Sequence, residues 1–274
     1  MKEKGLSMKQ YLVKPGTKID RSQWDPNDTG DFKGGKKEGL ARLQKLNGKL
    51  ETLQELLYAE HKHKVLVVLQ AMDTGGKDGT IRRVFDGVNP AGVRVVSFKA
   101  PTPAELRHNF LWRVRKGVPD LGEMVIFNRS QYEDVLIVRV HNLVPPAVWQ
   151  KRFAQINRFE RTLAESGTTI LKFYLHIDLD EQKERLQARL DDPAKHWKFR
   201  LGDLAERKYW SDYMQAYEDV LSKTSTDYAP WYIVPANRKW FRDLVISSVL
   251  VDTLADLNMK FPESEENLNG VVIV

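Results

Sequence analysis

There is no cysteine among the 274 residues. That excludes disulfides, thiolate metal sites and thiol catalysis, and it fits a reducing compartment. No apolar run approaches the roughly 18 residues that a membrane span needs. The first ten residues, M-K-E-K-G-L-S-M-K-Q, lack an apolar signal core. Internal repeats and low-complexity segments are also lacking. The expectation is a soluble, cytoplasmic protein without a membrane partner. Acids are the minority charge, 37 Asp and Glu against 43 Lys and Arg, for a net +6. That balance points to a polyanion: nucleic acid, an anionic surface or a phosphorylated substrate. With 42% hydrophobic residues, one α/β domain with extensions accounts for the chain.

What is present centres on K-V-L-V-V-L-Q-A-M-D-T-G-G-K-D-G-T, residues 64 to 80. Val65 to Leu69 reads as a strand buried on both faces. A loop with Asp73, Gly75, Gly76 and Lys77 follows, then Ile81, Val84, Phe85 and Val88 at helical spacing. Strand, glycine loop, lysine and helix form the order of a phosphate-binding loop. The glycines let backbone N–H groups face an anion, the helix start adds a positive dipole end, and Lys77 adds a cation. Two parts of G-x-x-x-x-G-K-[ST] are missing: Ala71 takes the first glycine's place, and Asp78 follows the lysine. Asp73 is the substitute hard ligand for Mg2+. A glycine-rich turn that binds nothing is the plainer alternative.

Met1 to about Gly35 reads as a polar, turn-punctuated arm over the domain. Residues 36–60 read as a helix whose leucine face is either core or a dimer zipper. Val93–Phe98 is a second strand. Thr102 is placed to cap a helix that buries Leu106, Phe110, Leu111 and Val114. Glu123–Phe127 is a third strand, ending at Asn128 and Arg129, where an acidic metal ligand often stands. Thr169–Ile177 and residues 230–234 read as further strands, with room for a helix between each. That pattern makes a parallel sheet covered on both faces. Basic and aromatic residues interleave at K-H-W-K-F-R, residues 195 to 200. They suit a lid closing on phosphates or a platform for single-stranded nucleic acid. The apolar tail Val271–Val274 has either the domain or a neighbour as its partner.

Five stretches then fall in a telling order: A-M-D-T-G-G-K-D-G-T, F-K-A-P-T-P-A-E-L-R-H-N-F-L-W-R, V-I-F-N-R-S-Q-Y-E-D-V-L, D-P-A-K-H-W-K-F and T-S-T-D-Y-A-P-W-Y-I-V-P-A-N. Together they closely resemble the family-2 polyphosphate kinases, from about residue 10 to the C-terminus. Asn128-Arg129 and the following Y-E-D resemble the class III branch, which phosphorylates nucleoside mono- and diphosphates. The resemblance implies a three-layer α/β P-loop kinase fold, thymidylate-kinase-like, with a central parallel sheet and a helical lid at about 181–207. The implied layout is an arm over 1–35 and a single domain over 36–274. The implied reaction moves phosphoryl groups between inorganic polyphosphate and AMP, ADP or ATP, with Mg2+, in a dimer or tetramer. Matched by motif, Asp73, Lys77, Asn128, Arg129 and Glu133 are the catalytic set, with Asp73 on the metal. Arg185, Arg189, Lys198 and Arg200 match the lid's basic residues. In most other branches an aspartate stands in the place of Asn128.

The charges agree with this reading. Polyphosphate would run over Gly75, Gly76 and Lys77, with Arg82 and Arg83 lining its channel. The nucleotide would enter beside Lys99, Thr102, His108 and Arg113 and meet the chain end at Arg129. No protein nucleophile is evident, and phosphoryl transfer needs none. Two rival readings are an ATP-dependent nucleoside or nucleotide kinase and a non-catalytic nucleic-acid binder. The polyphosphate reading expects no nucleic-acid partner.

Overall fold

The computed structural model describes residues 8–264, 266 and 271–273. Its strands are β1 (Leu12–Val13), β2 (Lys64–Gln70), β3 (Val93–Ser97), β4 (Met124–Asn128), β5 (Thr168–His176) and β6 (Trp231–Pro235). They form one sheet in the order β1-β6-β5-β2-β4-β3. β2 to β6 pair in parallel, and β1 joins β6 antiparallel. The continuous apolar run of β2 has the expected cause: Val65 to Leu69 are fully buried. Their side chains alternate between two cores. Leu66 and Val68 join one, and Val65, Val67 and Leu69 join the other.

Helices α1 (Lys36–Glu60), α2 (Lys77–Val84), α3 (Trp112–Arg115), α4 (Ile137–Val140) and α5 (Pro146–Glu165) precede β5. α6 (Leu179–Leu190), α7 (Leu201–Glu206), α8 (Trp210–Thr224) and α9 (Lys239–Asp256) follow it. α1 and α9 cover one face, where Leu50 and Leu57 meet Leu244 and Leu250. α5 and α8 cover the other, through Phe153, Ile156, Val220 and Leu221. The leucine face of α1 is therefore core.

The arm does more than lie over the domain. Its residues 12 and 13 complete the sheet, and Met8, Tyr11 and Ile19 are buried. Residues 1–7 of that arm lie outside the described residues. Leu12 and Val13, two apolar residues alone, are too short a run to read as a strand. At the other end, Val271, Val272 and Ile273 are exposed, so this part of the tail does not pack on the domain; Val274 lies outside the described residues.

The helix expected after Thr102 is corrected. The cap exists in reciprocal form: Thr102 Oγ1 accepts from Glu105 N at 3.2 Å, and Glu105 Oε2 accepts from Thr102 N at 2.7 Å. It closes only a single 3-10 turn, Glu105–Arg107. His108 is extended, and the Asn109 side chain accepts from Leu111 N at 2.9 Å, restarting the chain as α3. Leu106 is consequently 68% exposed, while Leu111 and Val114 are buried.

Gly167, between α5 and β5, has φ +88°, with open space around it. Gly167→Ala should lower unfolding free energy by about 1–2 kcal/mol through backbone strain alone. Urea denaturation measures this, and activity per folded molecule should not change.

Candidate active site

The chain goes from β2 to β3 and β4 on one side, then to β5 and β6 on the other. The ends of β2, β4 and β5 therefore meet at a switch point, where α/β sheets bind ligands. The loop after β2 fills it. Thr74 and Gly76 have φ of 62° and 104°, and Gly76 caps α2. Gly75 N donates to Met72 O at 3.0 Å, and Thr80 N donates to Gly76 O at 2.9 Å. A Cβ at position 75 would lie 2.5 Å from Ala71 Cβ and 2.9 Å from Met72 O. The methyl of Ala71, standing where a glycine is usual, is accommodated because Gly75 opposes it. Lys77 is buried, with Nζ donating to Ala71 O at 2.9 Å and Met72 O at 3.4 Å. Burial, then the charge of Arg129, pulls its ammonium down to about 8.

Across the loop stands Arg129, itself at φ 63° directly after β4. Its Nη2 donates to Asp73 Oδ1 at 2.8 Å, and its Nη1 lies 3.9 Å from Glu133 Oε2. Burial opposes its charge, but Glu133 and Asp73 outweigh burial and hold it protonated. Gln70 Nε2 donates to Glu133 Oε1 at 3.1 Å, and Gln182 Nε2 to Asp73 O at 3.1 Å. Asn128 Nδ2 donates to Asp78 Oδ1 at 2.7 Å. An ionised carboxylate only accepts, so the amide nitrogen must face Asp78, turning Oδ1 of Asn128 the other way. Asp73, Lys77, Asn128, Arg129 and Glu133 thus come together at one place. Asp78, Gln70 and Gln182 support them, and sequence reasoning missed these links. Only Asp78 carried a signal, as the acid standing where a hydroxyl belongs.

The basic candidates separate into two sets. Arg82, Arg83 and Arg200 are exposed, and Lys198 is half-buried with Nζ 4.8 Å above the Trp197 ring. Arg189 Nη1 donates to Lys198 O at 3.0 Å and lies 3.5 Å from Asp203. Arg185 does not line an open channel. Buried, it donates to Glu181 at 2.6 Å, Thr74 O at 3.0 Å, Ala236 O at 2.5 Å and Asn237 O at 3.2 Å. It braces the loop from behind.

Lys99 and Thr102 are exposed, and Arg113 lies over Phe98 with Nη1 donating to Lys99 O at 2.7 Å. His108 stands apart from the loop. It stacks on Trp112 at 4.1 Å and lines a cavity of about 510 Å³ with Arg115, Arg158 and Thr162, which holds no loop residue.

A mostly parallel α/β sheet, with a glycine loop and buried lysine at its switch point, defines a P-loop phosphotransferase. The family model for polyphosphate kinase 2 matches residues 33–262, and the chain belongs to that family. An "AMP/ADP-polyphosphate phosphotransferase" of Meiothermus ruber is 59% identical over 266 residues, covering 97% of this chain and 100% of the relative. An "ADP-polyphosphate phosphotransferase" of Rhodopseudomonas palustris is 45% identical over 271 residues, covering 94% and 93%. The crystal structure of polyphosphate kinase 2 from Arthrobacter aurescens TC1 superimposes with a TM-score of 0.93 at 46% identity, covering 97% of this chain and 95% of that one. The P-loop kinase fold expected from the sequence is thus the fold observed. Among the described residues no helix is long and apolar enough to cross a membrane.

Proposed function

We propose that this chain transfers phosphoryl groups between inorganic polyphosphate and AMP or ADP, with Mg2+. The observation that carries the reading is the pairing of buried Lys77 with Arg129 across a loop that lacks the usual hydroxyl. The names of the relatives from Meiothermus ruber and Rhodopseudomonas palustris support the substrate pair. Phosphoryl transfer needs positioning and charge neutralisation more than a covalent group. Lys77 exchanges two neutral carbonyl acceptors for phosphate oxygens. Arg129 holds Asp73 and Glu133 in place and presents its fork to the nucleotide's terminal phosphate. Gly75 and Gly76 let the chain lie close to the backbone.

Asp73 fits a magnesium ligand: its carboxylate is 28% exposed, and its bond to Arg129 uses Oδ1. Among the described residues no three His, Cys, Asp or Glu side chains gather as a metal site. That sparse set suits Mg2+, which takes one or two carboxylates and completes its shell with phosphates and water. When bound, the ion supplies neutralisation of the phosphate charge. The proposal keeps residues 181–207 as a lid and a homo-oligomer as the working form.

The decisive experiment incubates AMP with Mg2+ and polyphosphate and follows ADP and ATP by chromatography. Successive appearance of both is expected. Turnover with ATP as donor and none with polyphosphate would overturn the reading.

Lys77 also predicts a pH dependence. Only its charged form neutralises phosphate, so the KM for polyphosphate should rise as pH passes upward through about 8. Stability moves oppositely. The folded value lies below the ordinary 10.5, so the unfolded chain binds more protons between the two, and this group's contribution improves as pH rises there. A KM that stays flat from about pH 7 to about pH 9.5 would remove Lys77 from the binding step.

A further inference from the structure

Two charged residues of α9 lie where core is expected. Arg242 and Asp243 are adjacent in the chain, with side chains 1% and 0% exposed. Burying charge is costly unless it is paired and bonded. Asp243 Oδ1 accepts from Arg242 Nε at 2.7 Å and lies 2.6 Å from its Nη2. The same oxygen accepts from Thr80 Oγ1 at 3.3 Å, and Oδ2 accepts from Arg83 Nη1 at 3.3 Å. Asp243 therefore fastens α9 to α2, the helix that begins at Lys77.

Arg242 points its remaining nitrogen elsewhere. Nε and Nη2 face Asp243, while Nη1 stands directly behind Gly76, where any Cβ would collide with it. Nη1 of Arg185 lies 3.5 Å from the same point and donates to Thr74 O. The turn that would carry a phosphate thus has two buried guanidiniums at its back. Lys239 and Arg83 add charge to the same cluster. Against these four cations stand Asp243 and the Glu181 paired with Arg185. An apolar contact would tie α9 to α2 as firmly. Excess positive charge behind the glycine turn suits a polyanion in front of it.

We propose that Arg242 is a positioning residue for the polyphosphate chain: Asp243 locks it against α2, and its guanidinium holds the Gly76 turn open and raises the loop's positive potential. Arg242 acts through the loop backbone, so it belongs with Arg185 as a brace and not with the groups that touch the reacting phosphate. The proposal rests on the polyphosphate reading above.

The test compares Arg242→Lys and Arg242→Met with the wild type. It reads calorimetric binding of inorganic tripolyphosphate, separate KM values for polyphosphate and ADP, and thermal unfolding. Arg242→Met should weaken tripolyphosphate binding by at least about tenfold and raise the polyphosphate KM alike, with the ADP KM within about twofold. Arg242→Lys keeps the charge but not the fork, and should lose only about threefold. That ordering separates a charge role from a merely structural one, which would move the unfolding temperature and both KM values together. If Arg242→Met fails to fold, Arg242→Lys decides, and unchanged tripolyphosphate binding there overturns the proposal. Absence of tripolyphosphate binding by the wild type would instead overturn the polyphosphate reading itself.

Discussion

Lys77→Ala should lower kcat/KM for polyphosphate by about a thousandfold, the scale on which removing one preorganised charge from a dry site acts. In the resting loop Nζ is held by the carbonyls of Ala71 and Met72, not by a carboxylate. Handing the ammonium to phosphate therefore breaks no ion pair. Alanine leaves those carbonyls short of a donor, a loss of about 1–3 kcal/mol in stability. Steady-state kinetics beside a denaturation curve separates the two effects. Near-normal turnover by a well-folded Lys77→Ala would remove the loop from the chemistry.

Lys172→Met should destabilise the fold by about 3–5 kcal/mol, as expected when one partner of a buried ion pair is removed. Lys172 on β5 and Glu160 on α5 are both fully buried. Lys172 Nζ donates to Glu160 Oε2 at 2.6 Å, to Tyr132 Oη at 2.8 Å and to Thr224 O at 2.7 Å. Glu160 Oε1 accepts from Tyr132 Oη at 2.7 Å and Gln131 Nε2 at 2.9 Å. The network is well satisfied and ties α5, β5 and the end of α8 to the turn that carries Glu133. Methionine matches the stem of Lys172 but strands the carboxylate. The double variant Lys172→Met, Glu160→Gln should recover more than half of the loss, since no charge is then left unpaired. Urea denaturation of the three variants gives the coupling; equal stability of single and double variants would contradict it.

The centre of the sheet was legible because β2 and β4 are buried on both faces, and such strands read as unbroken apolar runs. The loop was legible because its tight turn leaves no room for a Cβ at Gly75 or Gly76. What stayed hidden depends on partners far away in the chain. Arg185 reads as one more lid cation, yet apart from Glu181 its acceptors are backbone carbonyls at Thr74, Ala236 and Asn237. Arg242 and Asp243 drew no reading at all, because nothing local says that Thr80 and Arg83 wait beside them. Thr102 and Glu105 show the opposite failure: their capping signal is real, but a cap fixes where a helix begins, not how long it runs.

The pairing of β1 with β6 has a consequence for synthesis. The hydroxyl of Ser225 bonds the carbonyl of Val13 across 212 residues, in the same region as the β1–β6 register. The arm is synthesised before β2 to β5, and its partner strand β6 only after them. Until then the nascent chain carries an unclosed sheet edge, the state in which chaperone engagement and misassembly compete with folding. α9 follows β6, so the brace behind Gly76 also arrives only at that stage. A product stalled before β6 therefore lacks edge cover and the Arg242 brace together, which couples synthesis of β6 and α9 to competence of the site.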